Sequence, residues 1–483
     1  MGINFLRSKW KSVIDDLREM KSLSELIDYI PRLHLQRIAL ILLLIWCVSP
    51  IVALAYNVIS YLPNDVDWVS QLHQMNIMTI HWYKLLLQVG FLGCLIGIVS
   101  FAKNIREAKE SNINKKDFFR NRIIEFCLLL MLFWSLLSYF ASGNMAESLV
   151  GQDYGKVGIL TYFAAAGIFC SAYAVRDKKY IKWILELYVT VAIIQSSLVL
   201  TNADNFIKRL VLTNNSGAYF NINHFAYYLC MAVMCSLLLY VTESRSKKLS
   251  LGRLIIFAIL VAALVRNHSL GPYLAVLCAF ISSIVLAIWL DRRQLKRIIT
   301  AFILFILVTI IMSISDGYLY LDLRIFGLDM FRLFKGEEIN DIGSGRWILW
   351  VNGIDFIRER PILGSGPSLL YDKYLLATGS INRPHNEFIE HAASIGIPGV
   401  LLYISTLFLY LKSFIKKRKK ISILGFGLLS VIIAYLVSSL FGVTMYNVIP
   451  FFFMFFGISI GQLQEISNIK LEDVPKDISE DLQ

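Results

Sequence analysis

The chain has 483 residues, 57% of them hydrophobic and only 17% charged, where soluble domains carry about a quarter charged residues. Its formal net charge is +12. The composition excludes a soluble enzyme of two or three domains, and the placement of the charge along the chain, given below, excludes a nucleic-acid-binding role.

Residues 1–37 are polar and basic and lack the apolar stretch of a cleavable signal. Phe5, Trp10, Val13, Ile14 and Leu17 alternate with charged positions, which predicts an amphipathic helix on the cytoplasmic surface. Twelve apolar runs follow, in 38–61, 82–102, 123–142, 157–175, 181–201, 223–242, 251–265, 271–290, 298–315, 397–414, 422–441 and 447–463. A helix of roughly 20 apolar residues crosses the hydrocarbon core of a bilayer and satisfies its own backbone there. The expected fold is all-α and integral to the membrane, with about 12 transmembrane helices. Nine spans lie in 38–315 and three in 396–463, followed by a tail at 464–483. Runs 251–265 and 271–290 are separated only by Arg266–Leu270, as a tight hairpin or a broken helix.

Lys and Arg set the orientation, because cytoplasmic loops carry an excess of both. With the N-terminus inside, loops predicted to be cytoplasmic hold 34 of the 47 Lys and Arg, and loops predicted to be external hold 12. Basic and less basic loops alternate along the chain without exception, which places both termini in the cytoplasm. Cys47, Cys94, Cys127, Cys170, Cys230, Cys235 and Cys278 all fall in predicted spans, so no disulfide framework is expected. No Cys/His spacing resembles a zinc site.

Roughly 80 residues, 316–395, separate spans nine and ten on the outer side, where the other loops are short. Loops of this length are functional or disordered, and the aromatic and apolar residues throughout this one argue for order. Trp347, Trp350, Val351 and Ile354 recur at i, i+3, i+4 and i+7. They predict a helix over 346–357, lying on the outer leaflet or against the bundle. Gly364–Pro367 then breaks the chain. A second helix is expected to start near Pro384, since Pro suits a first helical turn, and to stop around Gly396-Ile-Pro-Gly399.

Few ionisable groups sit deep in the spans. Glu125 and Glu186 lie near cytoplasmic ends, and Lys182 and Glu186 can pair at i, i+4. This scarcity weighs against a proton-coupled transporter. Polar groups cluster outside instead: Lys208, Arg209, Arg266, Arg324, Arg332, Arg346, Arg383, His385, Glu387, Glu390 and His391, with His224 at the mouth of span six. No nucleotide-binding motif is present, so a reaction on the outer face needs a pre-activated donor, and a membrane presents such donors as lipid phosphates. Arginine suits a diphosphate through bidentate charged hydrogen bonds and can stabilise a leaving diphosphate without a metal. His385, flanked by Arg383 and expected one residue into a helix, suits a general base for an acceptor hydroxyl. Its structural alternative is helix capping. Glu387 and His391 share a helix face at i, i+4 and read as a structural pair.

Three stretches in order resemble those of the O-antigen ligase and O-antigen polymerase superfamily of bacterial membrane glycosyltransferases. His385-Asn386 followed by Gly396-Ile-Pro-Gly399 is similar to the family's His-Asn…Gly-x-x-Gly motif. Ser344-Gly345-Arg346, Trp350 and Pro361–Gly366 resemble the opening of the family's large loop. Gly217-Ala-Tyr-Phe-Asn-Ile-Asn-His224, with Asn221 and Asn223, resembles a Phe-x-Asn-x-Asn segment before a middle span. The resemblance covers most of the chain from about residue 120. One departure is Ser269-Leu270-Gly271, where the family often has Ser-Arg-Gly; Arg266, four residues earlier, is the substitute the sequence offers.

The resemblance implies a glycosyltransferase C-like architecture whose extracytoplasmic loop carries the catalytic groups. It implies transfer of a glycan from an undecaprenyl-diphosphate-linked donor to an acceptor hydroxyl on a glycan or glycolipid. The transfer proceeds at the outer face of the bacterial cytoplasmic membrane, with inversion and without metal or cofactor. His385 would activate the acceptor, Arg346 would bind the diphosphate, and Arg383, Asn386 and Arg266 would assist. Asn221, Asn223 and His224 would line the donor cleft, with capping of the span as their alternative role. The acceptor decides between a polymerase and a ligase, the latter delivering to lipid A core, a glycolipid or a teichoic acid anchor. A flippase for the same lipid-linked sugars is the second reading, and a scaffold for envelope assembly the third. Neither would need His385.

Overall fold

The computed structural model describes residues 22, 25, 27, 29–59, 68–152, 155–203, 215–219, 221–243, 246–290, 292–336, 343, 345–379 and 383–472. The expected N-terminal amphipathic helix, Lys208, Arg209, Phe220 and Ser344 lie outside the described residues, as does most of the tail.

All regular structure among the described residues is helical. In chain order the helices are α1 (Arg32–Ile59), α2 (Trp68–Glu110), α3 (Lys115–Asn121), α4 (Ile123–Phe140), α5 (Met145–Val150), α6 (Ile159–Ala174), α7 (Lys178–Leu200), α8 (Ile222–Thr242) and α9 (Lys247–Arg266). They continue with α10 (Leu270–Leu290), α11 (Leu295–Asp316), α12 (Tyr318–Lys335), α13 (Arg346–Glu359), α14 (Leu370–Thr378), α15 (Glu387–Lys417), α16 (Ile423–Ser439) and α17 (Ile449–Glu472). Every one of the twelve apolar runs is helical. Ten of these helices are long and apolar enough to cross a membrane, and α6 and α16 are shorter apolar helices of 16 and 17 residues. The chain is thus a multi-pass membrane protein. Residues 267–269 join α9 and α10 as separate helices, which decides between the hairpin and the broken helix.

Small residues let the helices approach closely, as interfaces in lipid require. Gly90, Gly93 and Gly97 of α2 face Ala164, Gly167 and Cys170 of α6, and a Cβ at Gly167 would lie 1.7 Å from the Gly90 carbonyl oxygen. Gly457 of α17 meets the opposite side of α6 at Phe169. Helix α8 is wrapped on all sides, with every side chain from His224 to Val241 buried. Residues 221–223 at its N-terminus are half-buried. On the basic ends of the bundle, Glu186 takes Arg253 at 2.6 Å more closely than its expected partner Lys182 at 3.8 Å.

The segment between α11 and α15 is largely helical, carrying α12, α13 and α14. Helix α13 starts at Arg346 as the periodicity predicts, but its packed face is Leu349, Gly353 and Phe356. The predicted stripe is its outward side, with Trp347, Val351 and Ile354 exposed. A small core of Leu349, Phe356, Leu370, Tyr374 and Ala393 holds α13, α14 and the start of α15 together.

Two boundaries differ from expectation. Helix α15 begins at Glu387, so Pro384 and His385 precede it and do not form its first turn. The reason is Asn386, whose side chain accepts from the Phe388 and Ile389 amides at 3.0 and 3.1 Å and caps the helix there. Secondly, α15 continues beyond Gly396 with a kink: Gly396 has φ 78° and non-helical geometry, and the helix resumes to Lys417.

Candidate active site

The kink is built from the two glycine-rich stretches together. Pro398 has no amide hydrogen to give the Ser394 carbonyl. That oxygen instead accepts from the Gly366 amide at 2.9 Å and from Ser138 Oγ at 3.0 Å. Ser365 N donates to Ala393 O at 2.9 Å and Ile397 N to Pro361 O at 2.8 Å. Trp134 Nε1 of α4 donates to Ile395 O at 3.0 Å. The approach is so close that a Cβ at Gly396 would lie 2.0 Å from Ile362 O, and one at Gly364 2.4 Å from Ser394 O. Pro361–Gly366 and Gly396–Gly399 thus orient the first two turns of α15 and with them the residues that precede it.

Those residues are held at the other side by an ion pair. Arg383, only 4% exposed, pairs with Glu390, 6% exposed. Its Nη1 donates to Thr444 O at 2.7 Å, and its guanidinium lies 5.4 Å from the Tyr371 ring centroid. Glu390 also accepts from Thr444 N at 3.1 Å. One buried pair therefore ties the start of α15 to the loop before α17. Between Arg383 and the Asn386 cap, His385 has φ 48°, a left-handed conformation rare outside glycine.

Helix α13 brings Arg346 to this turn. Gly353 lets α13 touch α15 at Ile389, where a Cβ would clash at 2.6 Å, and Tyr374 of α14 donates to Leu349 O at 2.7 Å. Arg346 stands at the N-terminus of α13, half-buried. Burial, then Arg346, then Arg383 push the His385 imidazole down to about 4, since each disfavours a second positive charge. His385 is neutral at neutral pH, and its Nδ1 has no hydrogen-bond partner among the described residues. The Arg346 side chain likewise has no hydrogen-bond or ion-pair partner among them, whereas Arg383 is consumed by its strut.

The α8 mouth lies nearby, through His224. Asn221 caps α8 by accepting from Asn223 N at 2.8 Å, and Asn223 accepts from Ser269 Oγ at 2.7 Å. The Ser269–Gly271 stretch thereby bonds directly to the Asn221–Asn223 turn. Asn267 Nδ2 adds bonds to Asn215 O and Ile222 O at 2.7 and 3.0 Å. His224 is buried and within electrostatic reach of Arg383 and His385. Arg266 turns elsewhere: its Nη2 donates to Asn202 at 3.2 Å, and no contact among the described residues joins it to His385 or Arg346.

Residues 230–404 match the family model for O-antigen ligase. Over these residues the chain is similar to the O-antigen ligase family. The matched segment runs from α8 through the α15 kink and contains Arg266, Arg346, Arg383, His385, Asn386 and Gly396–Gly399, while Asn221–His224 lie just before it. The O-antigen ligase family stands for ligase- or polymerase-type glycan transfer. No curated protein matches the chain.

Four partners in this arrangement are not evident in the sequence. Thr444, Tyr371, Trp134 and Ser138 come from distant elements and carry no motif. Glu390 has a faint signal, an acid seven residues after Arg383 and one turn into the helix. Glu387 and His391 form the expected pair, Oε1 to Nε2 3.3 Å, and Tyr403 and Tyr162 extend it at 3.4 and 3.3 Å.

Proposed function

We propose that the chain transfers a glycan from an undecaprenyl-diphosphate-linked donor to an acceptor hydroxyl at the extracytoplasmic face of the bacterial cytoplasmic membrane. On this reading residues 316–395 form the catalytic loop, both termini are cytoplasmic, and the short helices α6 and α16 complete twelve spans. The observation that carries it is a neutral His385, its Nδ1 without a partner among the described residues, within electrostatic reach of the half-buried Arg346. His385 accepts the proton of the acceptor hydroxyl as its oxygen attacks the anomeric carbon. The bond from that carbon to the diphosphate breaks, and undecaprenyl diphosphate leaves with the electron pair. Arg346 neutralises the charge that develops on the leaving group, needing no metal for that role. Asn221, Asn223 and His224 bound the donor side, and Asn386 sets the position of His385. Arg383 contributes charge without direct contact. Arg266 would contact the donor only at the rim.

A neutral imidazole beside two cations is a weak base until the donor arrives. The diphosphate cancels the arginine charge and raises the imidazole pKa, so donor binding itself activates the base. The test is reconstitution with purified lipid-linked glycan, comparing wild type with His385→Ala and Arg346→Ala. Loss of transfer in well-folded variants supports the reading, and unchanged transfer in both overturns the site. A ladder of products growing on the lipid-linked chain marks a polymerase, and a single shift on another anchor marks a ligase.

A further inference from the structure

Helix α12 lies apart from the site. It begins at Tyr318, one residue after α11 ends at Asp316, and Gly317 makes the turn at φ 71°. A helix that leaves a span through one residue starts at the level of the lipid headgroups. Asp329 is buried and accepts from the Gly343 amide at 2.9 Å. The other described side chains of the helix are uncovered. Ile325, Leu328, Phe331 and Phe334 recur every third residue and are exposed, Phe334 by 85%. Arg324, Arg332 and Lys335 stand exposed among them, and Lys335 Nζ lies 4.6 Å from the Phe331 ring centroid.

Water disfavours such a stripe, and so does the deep bilayer. The headgroup region accepts it, because apolar side chains enter the acyl boundary while cations meet lipid phosphates. Pairing with a second copy about a two-fold axis would set these three cations against their own copies. We propose that α12 is a membrane-surface helix that docks on anionic phospholipids of the leaflet bordering the His385 site. The proposal rests on α11 as a membrane span and is independent of the glycan-transfer reading.

The test uses the full chain in nanodiscs of phosphatidylcholine containing a minor share of phosphatidylglycerol. A photoreactive phenylalanine analogue replaces Phe334 or, as the control, the exposed Arg358 on the far part of α13. Mass spectrometry reads the adducts after irradiation. The expected result is lipid adducts from position 334 and none from 358, with phosphatidylglycerol over-represented several-fold relative to its share. Arg324→Gln, Arg332→Gln and Lys335→Gln together should abolish that enrichment while lipid adducts persist. Cross-links from 334 to another copy of the chain, or no lipid adduct in a monodisperse protein, would overturn the proposal. Equal labelling of the two lipids, unmoved by the triple variant, would overturn its anionic part. A parallel transfer assay on the same samples separates this outcome from the fate of the enzymatic reading.

Discussion

Arg346 and Arg383 both depress His385, yet only Arg383 is bound into the scaffold. This separates their expected phenotypes. Arg346→Ala should lower turnover roughly 100- to 1,000-fold, the usual effect of losing one electrostatic stabiliser, with little change in thermal stability in detergent. Glu390→Gln should leave a buried cation unpaired and cost about 3–5 kcal/mol of stability, read as a lowered melting temperature. The exchange Arg383→Glu with Glu390→Arg should recover part of that stability and some transfer. Recovery of stability with no transfer at all would make Arg383 a substrate ligand. The pH profile follows from the sign of the His385 shift. Its folded pKa is depressed to about 4, so the neutral, active form persists down to that pH in the empty enzyme. The acid limb of kcat/KM should fall near pH 4, and that of kcat at higher pH, because bound diphosphate removes the cause of the depression. An acid limb of kcat at or below that of kcat/KM would contradict donor-linked activation.

At the scale of elements, the reach of the sequence follows the range of the interactions. Helix α13 and the break at Gly396 are local events, and periodicity, Gly and Pro mark them. The start of α15 was displaced by three residues because Pro384 and Asn386 both signal a helix start, and the Asn386 cap prevails. What no local pattern reveals is that Pro361–Gly366 docks on the kink, since its hydrogen bonds join residues some 30 positions apart. Sequence comparison of such stretches marks them as a motif without saying that their glycines serve backbone contact. The expected consequence is that Gly396→Ala and Gly364→Ala lose folded protein, because each puts a side chain into a left-handed position against a carbonyl. The combined cost is about 2–5 kcal/mol, measured by thermal unfolding. Gly353→Val should act differently, prising α13 from α15 and moving Arg346. Its turnover should drop more than its melting temperature.

Over the whole molecule, the apolar runs contain the helices of a multi-pass membrane protein, because bilayer thickness and backbone self-satisfaction leave few alternatives. They do not contain the order of packing. Nothing in the composition of α8 distinguishes it from its neighbours, yet it is the helix enclosed on every side, with the Asn221–His224 turn at its N-terminal end. The orientation is directly testable. A membrane-impermeant thiol reagent applied to intact cells should label Arg358→Cys and not Lys419→Cys, and the reverse after permeabilisation only for the latter. Labelling of position 419 from outside would invert the topology and with it the compartment of the reaction.

The Arg383 strut and the Gly396 kink fasten the His385 turn at both ends, to the loop before α17 and to α4. Such a mounting has a practical side. Because the proposed base is secured by the bundle together with α13 and α14, only α12, which lies apart from it, is free to diverge without retuning it. On the proposed reading, chimaeras that exchange only α12 between relatives should keep the transfer chemistry intact, making the bundle with α13 and α14 a chassis and α12 a replaceable fitting.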